Sequence, residues 1–437
     1  MRFACWLVIT IAFVAGANAQ TPQVVSFDSA WALVRNTHFD TTFNGLDWTR
    51  VRTELRPKAE AARSNEELRG VLLDMLGRLK QSHFTIIPQD AADAGESAGG
   101  SGDLGMDVRW VENALVVTTV EPGGPAGSAG VRPGWTLLRI DRLTTDSLVA
   151  RIRRNPSYQK LHSIVPRGAV NRLNGPVGSS VELEFLDARN ERVIVKPVRR
   201  TEPGNPVKFG NMPTFYTRFA DRRVAHENTQ VGIISFNVWM LPVVARIDSA
   251  MDRQRDAQGL IIDLRGNPGG VGLMATGVAG HLVDSARSLG VMTNRTNKLQ
   301  FRINPRRVNT AGERVLPFGG PVAILTDELS ASTSEIFAGG LQTFGRVRVF
   351  GASTMGAVLP ASLDRLPNGD VLYHAIADFV TPDGTVLEGR GVIPDEPVDL
   401  KRADLLAGRD VVLDAALRWI AAQARTQRRT TIRENIR

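Results

Sequence analysis

Three serines crowd one short turn of this chain. In ILTDELSASTSEIF, Ser330, Ser332 and Ser334 stand where an apolar, strand-like run gives way to a helix. The first turn of a helix carries partial positive charge, which lowers the cost of an alkoxide there. The backbone N–H of the following residue, Thr333, could then help to hold a developing oxyanion. Serine is also a common helix cap, so residue type alone leaves nucleophile and cap both open. A nucleophilic serine needs a base, yet the segment 329–357 contains neither histidine nor lysine, and Glu335 is its only carboxylate. A second candidate is RGNPGGVG, Arg265–Gly272, which also follows a strand and precedes a helix. It lacks the GxGxxG and GK[ST] spacings of dinucleotide and phosphate loops. Gly269 and Gly270 could instead aim backbone N–H groups at a negative charge, forming half of an oxyanion hole, or simply make a tight turn. The histidines show no i+3 or i+4 pairing and no HExxH, so no metal is implied and no cofactor is called for.

The elements that must position these residues fall into three stretches. Over 20–95 the pattern is helical. Phe27, Trp31, Leu33 and Val34 recur at helical spacing, with Ser26 or Asp28 as candidate caps. Leu68, Leu72, Met75, Leu76 and Leu79 repeat the pattern in a helix expected to close at Ser82-His83. The small, Gly-rich run 89–103 reads as a linker. Residues 102–200 read as β-rich: strand-like runs about Asn113, a short Ala/Gly helix, a Pro-Gly turn, then Val181, Leu183 and Phe185 before a turn at 188–190. Within it, Asp146 to Leu173 is expected as a partly helical insertion. From 206 to 422 strands and helices alternate: VGIISFNVW, a helix from Pro242 to Asp256, GLIIDLRG, a helix over 271–286, PVAILTD, EIFAGGLQTFG and RVRVFG. Such alternation implies a largely parallel or mixed sheet with helices packed on it. The basic segment 423–437 is expected as a frayed, solvated tail.

At 437 residues the chain can hold two or three domains. Residues 1–19 have the form of a signal peptide: Arg2, an apolar run from Phe3 to Val14, and Ala17-Asn18-Ala19. Export to the periplasm or beyond is therefore expected. The one cysteine, Cys5, lies inside this leader, so a mature chain would have no disulfide, thiolate metal site or cysteine nucleophile. A formal charge of +8 suits an anionic membrane or cell-wall surface. Nucleic acid is a poor partner for an exported chain with scattered basic residues.

Taken together, DLRGNPGG, SASTSEIFAGGLQ, TMG and TPDG(x)₃EGRGVIPD resemble the tricorn-like and C-terminal processing serine peptidases. In addition, GPAGSAGVRPGWTLLRID with its closing hairpin resembles a PDZ domain of the bacterial protease type. The resemblance implies a multidomain α/β protein with an N-terminal helical part, a PDZ-like module and a ClpP/crotonase-like core. It implies Ser332 as nucleophile, with Ser330 and Ser334 as structural caps, and Gly269 or Gly270 with Thr333 at the oxyanion. The processing branch takes its base from a lysine after T-F-G, a position filled here by Ala357. The tricorn-like branch uses a serine-preceded histidine and a late glutamate, which match Ser82-His83 and Glu388. The implied activity is peptide-bond hydrolysis on peptide or protein substrates, with the PDZ-like module either holding their C-terminus at Leu104–Asp107 or gating and bracing the site without binding peptide. Two other readings are an inactive relative that binds peptide or another ligand, and a PDZ-led adaptor. Removal of the leader should leave Gln20 as the first residue. N-terminal sequencing of the exported protein checks this, and a chain still starting at Met1 would make the leader an anchor.

Overall fold

The computed structural model describes residues 21–93, 101–153 and 161–435; the expected leader and the middle of the expected linker lie outside them. Three helices open the described chain: α1 (Pro22–Thr37), α2 (Trp48–Ala61) and α3 (Asn65–Gly77). Thr21, not Ser26 or Asp28, caps α1, its Oγ1 accepting from Val24 N–H ahead of Pro22. Ser26 is instead buried inside the helix and accepts from Asn368 N–H (2.9 Å). Asp28 pairs with Arg52 and Arg56 of α2. The third helix stops sooner than its apolar pattern suggests. Leu79 and Lys80 close the last turn onto Leu76 and Gly77, and Lys80 (φ 53°) and His83 (φ 60°) adopt left-handed backbone. Ser82-His83 therefore lie on a loop, not at a helix end.

That loop runs into β1 (Thr85–Ile87). The β-rich module follows, with β2 (Met106–Val111), β3 (Ala114–Val120), β4 (Thr136–Ile140), β5 (Leu183–Leu186) and β6 (Arg192–Val195) ordered along one sheet. The expected insertion is helical at both ends, as α4 (Thr145–Arg153) and α5 (Leu161–Leu173). The β5–β6 turn is organised by Asp187, whose Oδ1 accepts from the N–H groups of Arg189 and Glu191.

A six-stranded sheet carries the α/β part. Its strands are β7 (Phe219–His226), β8 (Thr229–Phe236), β9 (Gly259–Asp263), β10 (Val322–Thr326) and β11 (Arg348–Gly351). Beyond the hairpin β12 (Ala361–Arg365) and β13 (Val371–Ala375) comes the sheet's last strand, β14 (Glu396–Pro397). The order is β7-β8-β9-β10-β11-β14, antiparallel only at β7–β8, so the sheet is mixed. Strand alternation divides the core into two layers. Leu260, Ile262, Ile324 and Val349 face α6 (Leu241–Arg253), α7 (Met274–Ala279) and α8 (Thr333–Gln342). Ile261, Ala323, Leu325 and Phe350 face α9 (Val411–Asn435) through Val412, Ala416 and Ile420. Two expectations are corrected here. The helix over 271–286 shrinks to α7 because the carbonyl of Gly280 accepts from Arg306 N–H and the chain turns into a strand at Ser288. The tail from 423 is not frayed: its Ala, Gln and Arg continue α9 to Asn435.

The three parts share contacts. Strand β1 pairs antiparallel with β13, and Leu366 and Leu372 complete the core of the N-terminal helices. Arg109 on β2 is buried against Asp327, just past β10, with Nε to Oδ2 at 2.8 Å and both side chains at most 8% exposed. Burial alone would raise the Asp327 carboxyl, but Arg109 and the N–H groups of Gly266 and Leu329 hold it below the usual range. Breaking a buried pair from one side leaves an uncompensated charge. Arg109→Met should therefore cost about 3–5 kcal/mol in urea unfolding. Arg109→Met with Asp327→Asn should cost clearly less. Equal losses in the single and double variants would show that the charge is not what matters.

Candidate active site

The serine turn is built by β10, α8 and the glycine loop after β9. Asn267 is wholly buried and ties the two loops together. Its Nδ2 donates to Phe236 O (2.8 Å), its Oδ1 accepts from Gly269 N–H (3.0 Å), and its carbonyl accepts from Ala331 N–H (3.0 Å). Asp327 adds a second tie, accepting from the N–H groups of Gly266 (2.8 Å), Leu329 (3.0 Å) and Ser330 (3.0 Å).

The three serines divide by environment. Ser330 is buried and donates to Leu264 O (2.8 Å). Ser334 is buried, donates to Asn267 O (3.1 Å) and accepts from the indole of Trp239 (2.9 Å). Between Ser330 and Leu341 only Ser332 escapes full burial. Its backbone is left-handed (φ 53°, ψ −115°), a conformation that costs a non-glycine residue about 1–3 kcal/mol and persists only where neighbours enforce it. Those neighbours are present. Ser332 N–H donates to Ala357 O (2.9 Å) and to Glu335 Oε2 (2.9 Å). The Glu335 carboxylate, fully buried, also accepts from Thr354 Oγ1 (2.5 Å) and from the N–H groups of Gly356 (2.7 Å) and Ala357 (3.0 Å). Burial nonetheless leaves its pKa raised.

Gly269 and Gly270 behave differently. A Cβ on Gly269 would lie 2.6 Å from Ser332 Cβ, so the loop packs directly on the serine. The N–H of Gly269 is committed to Asn267, which removes it as an oxyanion donor. The N–H groups of Gly270 and Thr333 have no acceptor among the described residues, while Thr333 Oγ1 donates to Gly270 O (3.0 Å).

Ser82, His83 and Glu388 come together from opposite ends of the chain. Glu388 Oε1 accepts from Ser82 N–H (2.7 Å) and Oε2 from Ser82 Oγ (2.9 Å). Because the hydroxyl gives its proton to Glu388, it must accept from His83 Nδ1–H (2.7 Å). This leaves Nε2 with a free lone pair. The same carboxylate accepts from Val358 N–H (3.1 Å), next to the Ala357 that holds Ser332. Among the described residues the imidazole and the Ser332 hydroxyl are not hydrogen-bonded to each other, as is common before substrate binds. The ring is half-buried and lies 5.3 Å from that of Tyr373. Loss of solvent, then the nearby Arg167 guanidinium, push its pKa down to about 4. Burial pushes the Tyr373 phenol up to about 12.

Sequence reasoning missed Asn267, Asp327, Arg109 and Trp239, and saw Glu335 without its partners. Only the short spacing of Asn267 from Gly269 hinted at the first.

The chain is similar to several known proteins. Peptidase family S41 matches residues 230–398, and the tricorn protease C1 domain matches residues 24–77. Carboxyl-terminal-processing peptidase 2 of the Arabidopsis thaliana chloroplast is 26% identical over 397 residues, covering 86% of this chain and 69% of that protein. The carboxyl-terminal-processing protease of Synechocystis is 25% identical, covering 91% and 88%. Among solved structures, the photosystem II D1 C-terminal processing protease shares the fold with a TM-score of 0.59 at 21% identity, covering 86% of this chain and 93% of that one. By these matches the chain is a serine-type peptidase similar to the carboxyl-terminal-processing and tricorn proteases.

Proposed function

We propose that the protein is an exported endopeptidase that cleaves peptide bonds through an acyl-enzyme on Ser332, with His83 as general base. The observation that carries this reading is the hydrogen-bonded chain Glu388–Ser82–His83, found in a protein whose lysine position is Ala357. His83 Nε2 takes the hydroxyl proton as Ser332 Oγ attacks the scissile carbonyl carbon. The carbonyl electrons move onto oxygen, where the N–H groups of Gly270 and Thr333 receive them. When the intermediate collapses, the C–N bond breaks and the proton passes from His83 to the departing amine. Water then repeats the cycle and frees Ser332. Ser82 and Glu388 keep the proton on Nδ1 and stabilise the imidazolium as it forms. A ring whose pKa lies near 4 is already neutral at ordinary pH, as a base must be. The module over 102–200 serves as a PDZ-like receptor for the substrate's C-terminus, and the core is of the ClpP/crotonase type.

Ser332→Ala and His83→Ala should each lower kcat by about ten-thousandfold, and the double variant little further, because members of one relay act as a unit. Glu388→Gln should cost less, about a hundredfold. Retention of most activity by His83→Ala while Ser332→Ala is dead would assign the proton to another group. The pH dependence follows from the depressed pKa. As pH falls through about 4 the imidazole gains its proton and kcat/KM should drop, whereas between 5 and 8 it should stay nearly level. A midpoint near 6.5, the value of a solvated imidazole, would contradict the burial of His83.

A further inference from the structure

Arg167 stands out among the cations near the proposed catalytic residues. It lies on α5, whose Val165, Ala169 and Leu173 are packed into the core of the β-rich module. Positions two apart on a helix lie on opposite faces, so Arg167 is turned away from that core, and it is exposed. Its Nη1 reaches Met355 Sδ at 4.0 Å. Met355 is part of the wall behind the nucleophile. Its N–H donates to Ser330 O, and its neighbours Thr354 and Gly356 are both held by Glu335. On its other side Arg167 is close enough to His83 and Tyr373 to act on both electrostatically. A helix from one module thus brings a guanidinium to the rim of a site formed by another.

Among the described residues no carboxylate is paired with Arg167. Two carboxylates of the site are occupied: Glu335 holds the 354–357 segment, and Glu388 holds Ser82 and Val358. By contrast Arg109 and Arg265 each have an acidic partner. An uncompensated cation beside a base has a chemical cost, since it disfavours the imidazolium that must form in the transition state. A negatively charged substrate would remove that cost as it binds.

We infer that Arg167 is a specificity-determining residue that receives a carboxylate of the substrate peptide beside the scissile bond, and that this contact both anchors the peptide and favours proton transfer to His83. The inference rests on the proposed Ser332–His83 reading. Among the described residues, the groups facing the imidazole are Ser82 and, through it, Glu388 on one side, Tyr373 from β13, and Arg167 from α5. Of these Arg167 is the cation, and beyond its contact with Met355 it has no acidic partner among the described residues to lose when a ligand takes it.

The test compares peptide pairs that differ by one charge. One arm exchanges Glu for Gln, or Asp for Asn, at each position flanking the scissile bond. The other exchanges a free C-terminal carboxylate, placed one to three residues beyond it, for an amide. The native enzyme should prefer the charged member of at least one pair by about tenfold in kcat/KM, the worth of one charge-assisted hydrogen bond. The arm in which the preference appears identifies a side chain or a chain end as its source. Arg167→Met should bring that ratio close to one, Arg167→Lys should keep part of it, and Arg167→Glu should reverse it toward a Lys-containing peptide. With an uncharged peptide, the acid limb of the Arg167→Met pH profile should move upward, because the cation opposing the imidazolium is gone. An unchanged ratio in Arg167→Met overturns the inference, whether activity on both peptides is kept or lost together. Fluorophosphonate labelling of Ser332 keeps the underlying reading separate. Normal labelling in His83→Ala would remove the proposed base whatever the peptide pairs show.

Discussion

A carboxylate taken out of water must be surrounded by donors, and the arrangement around Ser332 follows from that demand. Glu335 is fully buried, one turn into α8, and its raised pKa reflects what burial costs it. The donors that offset the cost are the N–H groups of Ser332, Gly356 and Ala357 and the hydroxyl of Thr354. Meeting them bends Ser332 into its left-handed conformation and draws the 354–357 segment alongside it. The serine is strained because the carboxylate is satisfied.

The remaining ties repeat this pattern at greater distance. Asp327 gathers the N–H groups of the glycine loop and the serine turn, and takes its counter-charge from Arg109 in another module. Glu388 gathers Ser82 and Val358, and through Ser82 sets the tautomer of His83. Three buried or half-buried carboxylates thus do the positioning, each anchoring backbone N–H groups. Backbone partners cannot rotate away as side chains can, which makes such ties geometrically exact at modest energetic gain.

Much of this could be read from residue order. The strand-turn-helix around Ser332, the glycine loop, the helical start, the β-rich middle and the alternating core all follow from local periodicity and turn chemistry, and the structure has them at those places. Ser82-His83 and Glu388 were visible only through family motifs, since nothing local distinguishes His83 from His38 or His374. The misses share one cause. Whether α3 reaches His83, whether Ser26 caps or is buried, and what Asn267, Asp327 and Arg109 contact depend on partners tens to hundreds of residues away. Periodicity reports which face of an element is apolar, not which distant donor will meet a buried oxygen. The choice between Gly269 and Gly270 was equally out of reach, because it turns on one side-chain bond from Asn267.

The bond between Ser82 and Glu388 spans 306 residues of chain, and β1, which leads out of the His83 loop, is completed only by β13. Contacts so distant in sequence form late, after the intervening loop has been closed. A growing or threaded chain therefore holds its serine turn and the Ser82-His83 loop apart until β13 and Glu388 have been made and folded. For the endopeptidase proposed above, this long span acts as a delay on the assembly of its site.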